Sequence, residues 1–123
     1  MISDETIQAI RDFTTQRDWD QYYTPENLAK SISIEAAELL ECFQWTTHRD
    51  RHEDAVNDTH VAEELADVLT YCIMMADRMG FDLDEIINAK LDMTKKKYPV
   101  NSVRDNFEAY QALHQSARSQ TES

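Results

Sequence analysis

A single glycine, Gly80, and two prolines, Pro25 and Pro99, punctuate 123 residues. A chain so poor in turn-forming residues has room for few tight turns, so its elements must be few and long. That constraint points to helices and an all-α fold. A hydrophobic content of 41% in a chain of this length suits one domain with a modest core, about residues 4–100, followed by a C-terminal extension.

The helix signals fall in order along the chain. Ser3 is placed to cap a first helix of about 4–17, with Ile7, Ile10 and Phe13 on one side. Thr24 as N-cap and Pro25 at the first helical position open a second helix, expected to run to about Trp45. The polar stretch 46–59 has no apolar period and reads as a loop. A third helix begins near Asp58 or Thr59 and stops at Gly80. Asp82 and Glu85 have capping-box spacing ahead of a fourth helix, which ends before Tyr98 and Pro99. Phe107, Tyr110 and Leu113 give a marginal fifth helix, and the last eight residues read as frayed. The expected architecture is therefore a bundle of four to five helices.

Charge and cysteine usage narrow the function classes. A net charge of −12 argues against binding a nucleic-acid polymer or an anionic membrane, because phosphate contacts need clustered Lys and Arg. The apolar run 68–76 is too short, and too closely flanked by Asp67, Asp77 and Arg78, to span a bilayer; no signal-peptide pattern opens the chain. The expected location is cytoplasmic. Cys42 and Cys72 lie in separate apolar helical stretches and read as buried free thiols. His48 and His52, four apart in the polar loop, lack a third ligand at helical spacing and read as surface residues.

The informative anomaly is an echo between EAAELLECF and EELADVLTY. On a helical wheel Leu28, Ile32, Leu39 and Phe43 fall roughly 20° to 80° from Glu35, with Cys42 just on the other side. Glu35 thus sits inside the apolar arc, and Glu38 at its edge. In the second stretch Val61, Val68 and Met75 fall roughly 20° to 60° from Glu64, with Tyr71 just on the other side and Asp67 about 60° away at the edge. An acidic pair usually decorates a solvated face, but two pairs that each put a carboxylate in an apolar arc are too unfavourable to be accidental. Carboxylates so placed are neutralised by protonation, by basic partners or by a cation. No Lys or Arg at helical spacing within either arc answers them. If the two helices pack antiparallel, Glu35, Glu38, Glu64 and Asp67 converge as a hard oxygen cage suited to Mg²⁺, with Mn²⁺ as a substitute. A ferritin-like carboxylate metal-binding bundle would use Glu-x-x-His pairs, and that spacing occurs nowhere in the chain.

E-x-x-E at Glu35 and Glu38, then 25 residues, then E-x-x-D at Glu64 and Asp67, resembles the motif of the all-α MazG-like nucleoside triphosphate pyrophosphohydrolases. The similarity extends over roughly residues 7–100 and is greatest to the dCTP pyrophosphatase branch. The resemblance implies a Mg²⁺-dependent hydrolase that cleaves a (deoxy)nucleoside triphosphate between its α and β phosphates, giving the monophosphate and pyrophosphate. It also implies a dimer or tetramer with a house-cleaning role in the nucleotide pool. By the same resemblance Glu35, Glu38, Glu64 and Asp67 are metal ligands, and Trp19 and Trp45 line a base pocket. Tyr71 stands near the nucleotide, and Lys90 and Lys97 occupy the family's basic positions. Glu38, or another ligand not fully committed to the metal, would take the proton from water. Thr94 stands where this branch usually has Asn, and Ile10 where a related member has a pocket His; both departures bear on phosphate contacts and base preference.

Five of the chain's twelve Lys and Arg residues, Lys90, Lys95, Lys96, Lys97 and Arg104, gather within fifteen positions, as expected of an acidic protein that holds a polyphosphate. A non-catalytic helical interaction module is the remaining alternative, because the third helix is apolar nearly all round after Val68 and demands cover on several sides.

Overall fold

The computed structural model describes residues 2–45, 57–104 and 106–122. Two compact units divide the chain at Phe81. Among the described residues all regular structure is helical, and no helix is long and apolar enough to cross a membrane.

The first unit holds α1 (Asp4–Gln16), a 3₁₀ turn (Asp20–Tyr22), α2 (Pro25–Glu41) and α3 (Asp58–Met79). Side-chain oxygens start each long helix: Ser3 accepts from the Thr6 amide, Thr24 from Asn27, and Asn57 from Thr59 and His60. Each bond satisfies an amide that the helix itself leaves unpaired. Because these caps are local, the helix starts agree with the sequence expectation to within a residue.

Helix ends are less uniform. Gly80 takes the left-handed conformation at φ 72° and donates to Ala76 and Asp77, so α3 stops where expected. α1 stops by the same device without glycine. Asp18 adopts φ 57°, the Trp19 amide donates to the Thr14 carbonyl at 2.9 Å and the Asp18 amide to Thr15 at 3.1 Å, which is a Schellman closure. α2 ends at Glu41, short of the expected Trp45. Amides of Cys42, Phe43 and Gln44 reach back three residues instead of four, so the chain tightens out of the α-helix before Trp45.

α2 and α3 form the main helix pair of this unit. They run antiparallel: Tyr23, just before α2, meets Tyr71 at 6.1 Å between ring centroids, while Glu35, further along α2, meets Glu64 and Asp67, earlier on α3. The core is small, with Leu28, Ile73 and Ala76 the buried apolar side chains among the described residues, joined by Thr14. α1 docks on α3 through Arg11, whose guanidinium grips Asp77 with Nη2 at 2.6 Å and Nε at 3.0 and 3.1 Å from its oxygens. Both partners are substantially exposed, so the pair fixes register more than it adds stability.

The second unit holds α4 (Leu83–Lys97), the single turn α5 (Val100–Val103) and α6 (Phe107–Glu122). Asp82 accepts from the Glu85 amide at 3.1 Å, which supplies the N-cap half of the expected capping box. α5 was not expected; Pro99 presets the turn, and Ser102 and Arg104 donate back to Pro99 and Val100. α6 also corrects the sequence reading, being sixteen residues long where a marginal helix with a frayed tail was expected. Asn106 caps it by accepting from Ala109, and no Gly or Pro interrupts it. His48 and His52, with most of the polar loop, lie outside the described residues.

Two substitutions test this account of the helix ends. Asp18→Gly removes the left-handed penalty and should stabilise the fold by up to about 1 kcal/mol, whereas Gly80→Ala should destabilise it by about the same amount. Chemical denaturation of both variants checks the opposite signs.

Candidate metal centre

The apolar arc found in the sequence is the covered side of α2. Leu28 is buried and Ile32, Leu39, Cys42 and Phe43 are half-buried, with Glu35 among them in the same half-buried state. On α3 the matching face holds Val61, Glu64, Val68, Tyr71 and Met75, all half-buried. Antiparallel packing of these two faces brings carboxylate oxygens of Glu35, Glu64 and Asp67 within 4.8 Å of one another. Glu38, one turn beyond Glu35, stands close enough to act on both Glu35 and Glu64 through a hydrogen bond and through its charge.

The electrostatics of this cluster are unfavourable as they stand. Oε2 of Glu35 and Oε2 of Glu64 are buried without a hydrogen-bond partner among the described residues. Burial is the largest influence on Glu35, and the hydrogen bond with Glu38 and the charges of Glu38, Asp67 and Glu64 add to it. Together they push its pKa up to about 7. Glu64 is raised in the same direction, by burial first and then by Glu38, Asp67 and Glu63. The ion pairs seen among the described residues, Arg11–Asp77 and Lys30–Glu26, lie elsewhere and neutralise none of these groups. Oxygen donors that converge, carry like charge and lack partners fit a hard divalent cation.

Tyr71 adjoins the cluster. Burial, the neighbouring Tyr23 and the charges of Glu35 and Asp67 push its hydroxyl up to about 12, so it stays protonated and remains a donor at neutral pH. Tyr23 was missed in the sequence because it lies outside any helix and carries no period. Beside these tyrosines, α1, the 3₁₀ turn and α3 enclose a groove of about 460 Å³ with Ile10, Leu28 and Ile73 on its walls and Arg11, Asp20 and Asp77 among its polar groups. Hydrogen bonding with Thr14 and Thr15 holds the Asp20 carboxylate below its ordinary range, and the charge of Arg78 lowers it further.

The two tryptophans are not part of that groove. Trp19 packs edge-on against Phe13 at 5.6 Å, and Trp45 stands 89% exposed beyond the end of α2. Lys90 and Lys97 belong to the second unit, where both line a separate pocket.

The raised carboxyl groups carry a signed consequence for stability. A carboxyl whose pKa rises on folding favours the folded state while protonated, and that contribution disappears as pH climbs from the ordinary carboxylate range to the folded value. Protein stripped with EDTA should therefore show a denaturation midpoint that falls between about pH 5 and pH 7, and Glu35→Gln should flatten that slope. Added Mg²⁺ at pH 7 should restore the midpoint, and an unchanged midpoint would remove the cation from this site.

Comparison with known proteins places the chain. A model of the MazG-like family matches residues 30–113. The dCTP pyrophosphatase 1 of Bos taurus is 32% identical over 127 residues, an alignment covering 98% of this chain and 75% of that protein. The Homo sapiens protein of the same name is 33% identical over 122 residues, covering 94% of this chain and 72% of its own length. A crystal structure of a pyrophosphatase from Archaeoglobus fulgidus superposes with a TM-score of 0.73 at 41% identity, covering 78% of this chain and 91% of the other. With its all-helical fold and its paired carboxylates on α2 and α3, the chain belongs to the MazG-like family.

Proposed function

We propose that this chain is a Mg²⁺-dependent nucleoside triphosphate pyrophosphohydrolase that converts a deoxynucleotide such as dCTP to its monophosphate and pyrophosphate, cleaning the cytoplasmic nucleotide pool. The convergence of Glu35, Glu64 and Asp67, with two of their oxygens buried and unpartnered, carries the reading. The names of its relatives support the substrate class.

Glu35, Glu64 and Asp67, with Glu38 beside them, hold the cation, and Mn²⁺ serves as a substitute. Bound Mg²⁺ supplies neutralisation of phosphate charge and an electrophile against the phosphoryl oxygens. Water adds across the α–β anhydride, and its proton passes to Glu38, which the tight group of three leaves more exposed than Glu35 and Glu64. Tyr71, protonated at neutral pH, donates a hydrogen bond to the bound nucleotide. The groove lined by Ile10 gives the base an apolar seat next to Tyr23. Trp19 and Trp45 lie outside this groove, so the stacking role that the resemblance assigns to them is separate from this seat, and Lys90 and Lys97 of the second unit are basic residues suited to phosphate oxygens.

The protein works as a dimer or tetramer. Leu65 and Leu69 are 44% and 47% exposed on one stripe of α3, about 100° to 140° around the helix from Glu64. Leu40 and Trp45 are more exposed still. So small a buried core with such apolar surface calls for a second copy of the chain.

Two outcomes test these assignments. Glu38→Gln should retain the melting temperature of the parent while reducing Mg²⁺-dependent release of pyrophosphate by about 10²-fold or more; retained turnover would remove Glu38 from the chemistry. Leu69→Glu should lower the mass seen by light scattering toward that of one protomer and abolish a concentration-dependent melting temperature.

A further inference from the structure

The second unit carries a pocket of about 480 Å³ that the carboxylate centre does not explain. α4 contributes Lys90 and Lys97, Tyr98 follows, and α6 contributes Tyr110, His114 and Arg118. Among the described residues no carboxylate lines this pocket, in a chain with 24 acidic residues, while three of the twelve Lys and Arg residues do. A cationic helix end complementing its own dipole accounts for Lys97. It does not account for Lys90, two turns earlier, or for Arg118 on a different helix. Neither lysine takes part in the ion pairs seen among the described residues.

The pocket is also held in shape. Tyr110 stacks on His114 at 5.8 Å and lies 5.4 Å from Tyr98, whose hydroxyl meets Nδ1 of His114 at 3.1 Å. When Tyr98 donates to Nδ1, the neutral imidazole carries its proton on Nε2 and offers a donor there. Thr94 lines the same pocket, but its hydroxyl donates to the Lys90 carbonyl at 3.0 Å, so its proton is already used on its own helix. Donors for an anion therefore come from the lysines of α4 and from α6. A concavity that among the described residues has several cationic side chains and no carboxylate suits an anion of high charge density with several oxygens.

We propose that the second unit binds a condensed phosphate, with His114 and Arg118 of α6 joining Lys90 and Lys97 of α4 as its ligands. The inference rests on the reading of the two lysines as phosphate-binding residues and extends it to the C-terminal helix. The condensed phosphate is either the triphosphate tail of the substrate or free pyrophosphate.

Titration of the EDTA-treated full chain with inorganic pyrophosphate, followed through the imidazole ¹H–¹⁵N signals, tests this directly, with His114→Gln assigning the His114 signal. Pyrophosphate should move that signal saturably, and the affinity should fall as salt rises. Arg118→Ala and Lys90→Ala should each raise the Kd about fivefold or more, whereas Lys95→Ala, which lies outside the pocket, should leave it unchanged. If the substrate tail is the ligand, Arg118→Ala also raises KM for the triphosphate at constant kcat. If free pyrophosphate is the ligand, KM is unchanged and inhibition by pyrophosphate weakens. A His114 signal that pyrophosphate does not move, or equal affinity in the parent and Arg118→Ala, overturns the proposal. Pyrophosphate binding intact in a chain that hydrolyses no nucleotide would instead remove the hydrolase reading and leave this pocket standing.

Discussion

The close approach of α2 and α3 governs the first unit, and the carboxylates they share decide what that approach means. Packing two apolar arcs is favourable, but each arc includes an acidic side chain, and the antiparallel arrangement sets Glu35 against Glu64 and Asp67. Burial and mutual repulsion then act on the same oxygens. Fold and ligand chemistry are therefore coupled in one interface. The apolar residues Leu28, Ile32, Leu39, Val61 and Val68 hold the charges close enough to need a counter-ion.

Much of this was legible in the sequence because the relevant signals are local. The wheel positions of Glu35 and Glu64 survive into the structure since an α-helix fixes side-chain direction regardless of its neighbours. The N-caps at Ser3, Thr24 and Asp82 were readable for the same reason, since each bond spans only a few residues. What was not legible depends on backbone conformations that composition does not announce. Asp18 ends α1 in a conformation usually signalled by glycine, and the tightening after Glu41 has no sequence marker. The length of α6 was underestimated because residues without an apolar period can still be good helix formers, as Ala117 and Arg118 are. The tryptophan assignments came from resemblance, and the groove beside Tyr23 came from tertiary packing; neither follows from periodicity.

The sparse core bears on how substrate and stability relate. With Leu28, Ile73 and Ala76 as its buried apolar members, the described chain has little margin against an unneutralised charge cluster. Whatever binds the folded chain in preference to the unfolded one adds stability by mass action. The exposed stripe of Leu65 and Leu69 lies on the same helix as Glu64 and Asp67. A change at that stripe therefore acts directly on the helix that carries half of the carboxylates.

The side-chain caps separate what is local in this fold from what is not. Ser3, Thr24, Asn57, Asp82 and Asn106 start each long helix through bonds within its own sequence. What the caps leave to tertiary packing is the docking of α2 on α3, which brings carboxylate oxygens of Glu35, Glu64 and Asp67 within 4.8 Å of one another and buries one oxygen each of Glu35 and Glu64 without a partner among the described residues.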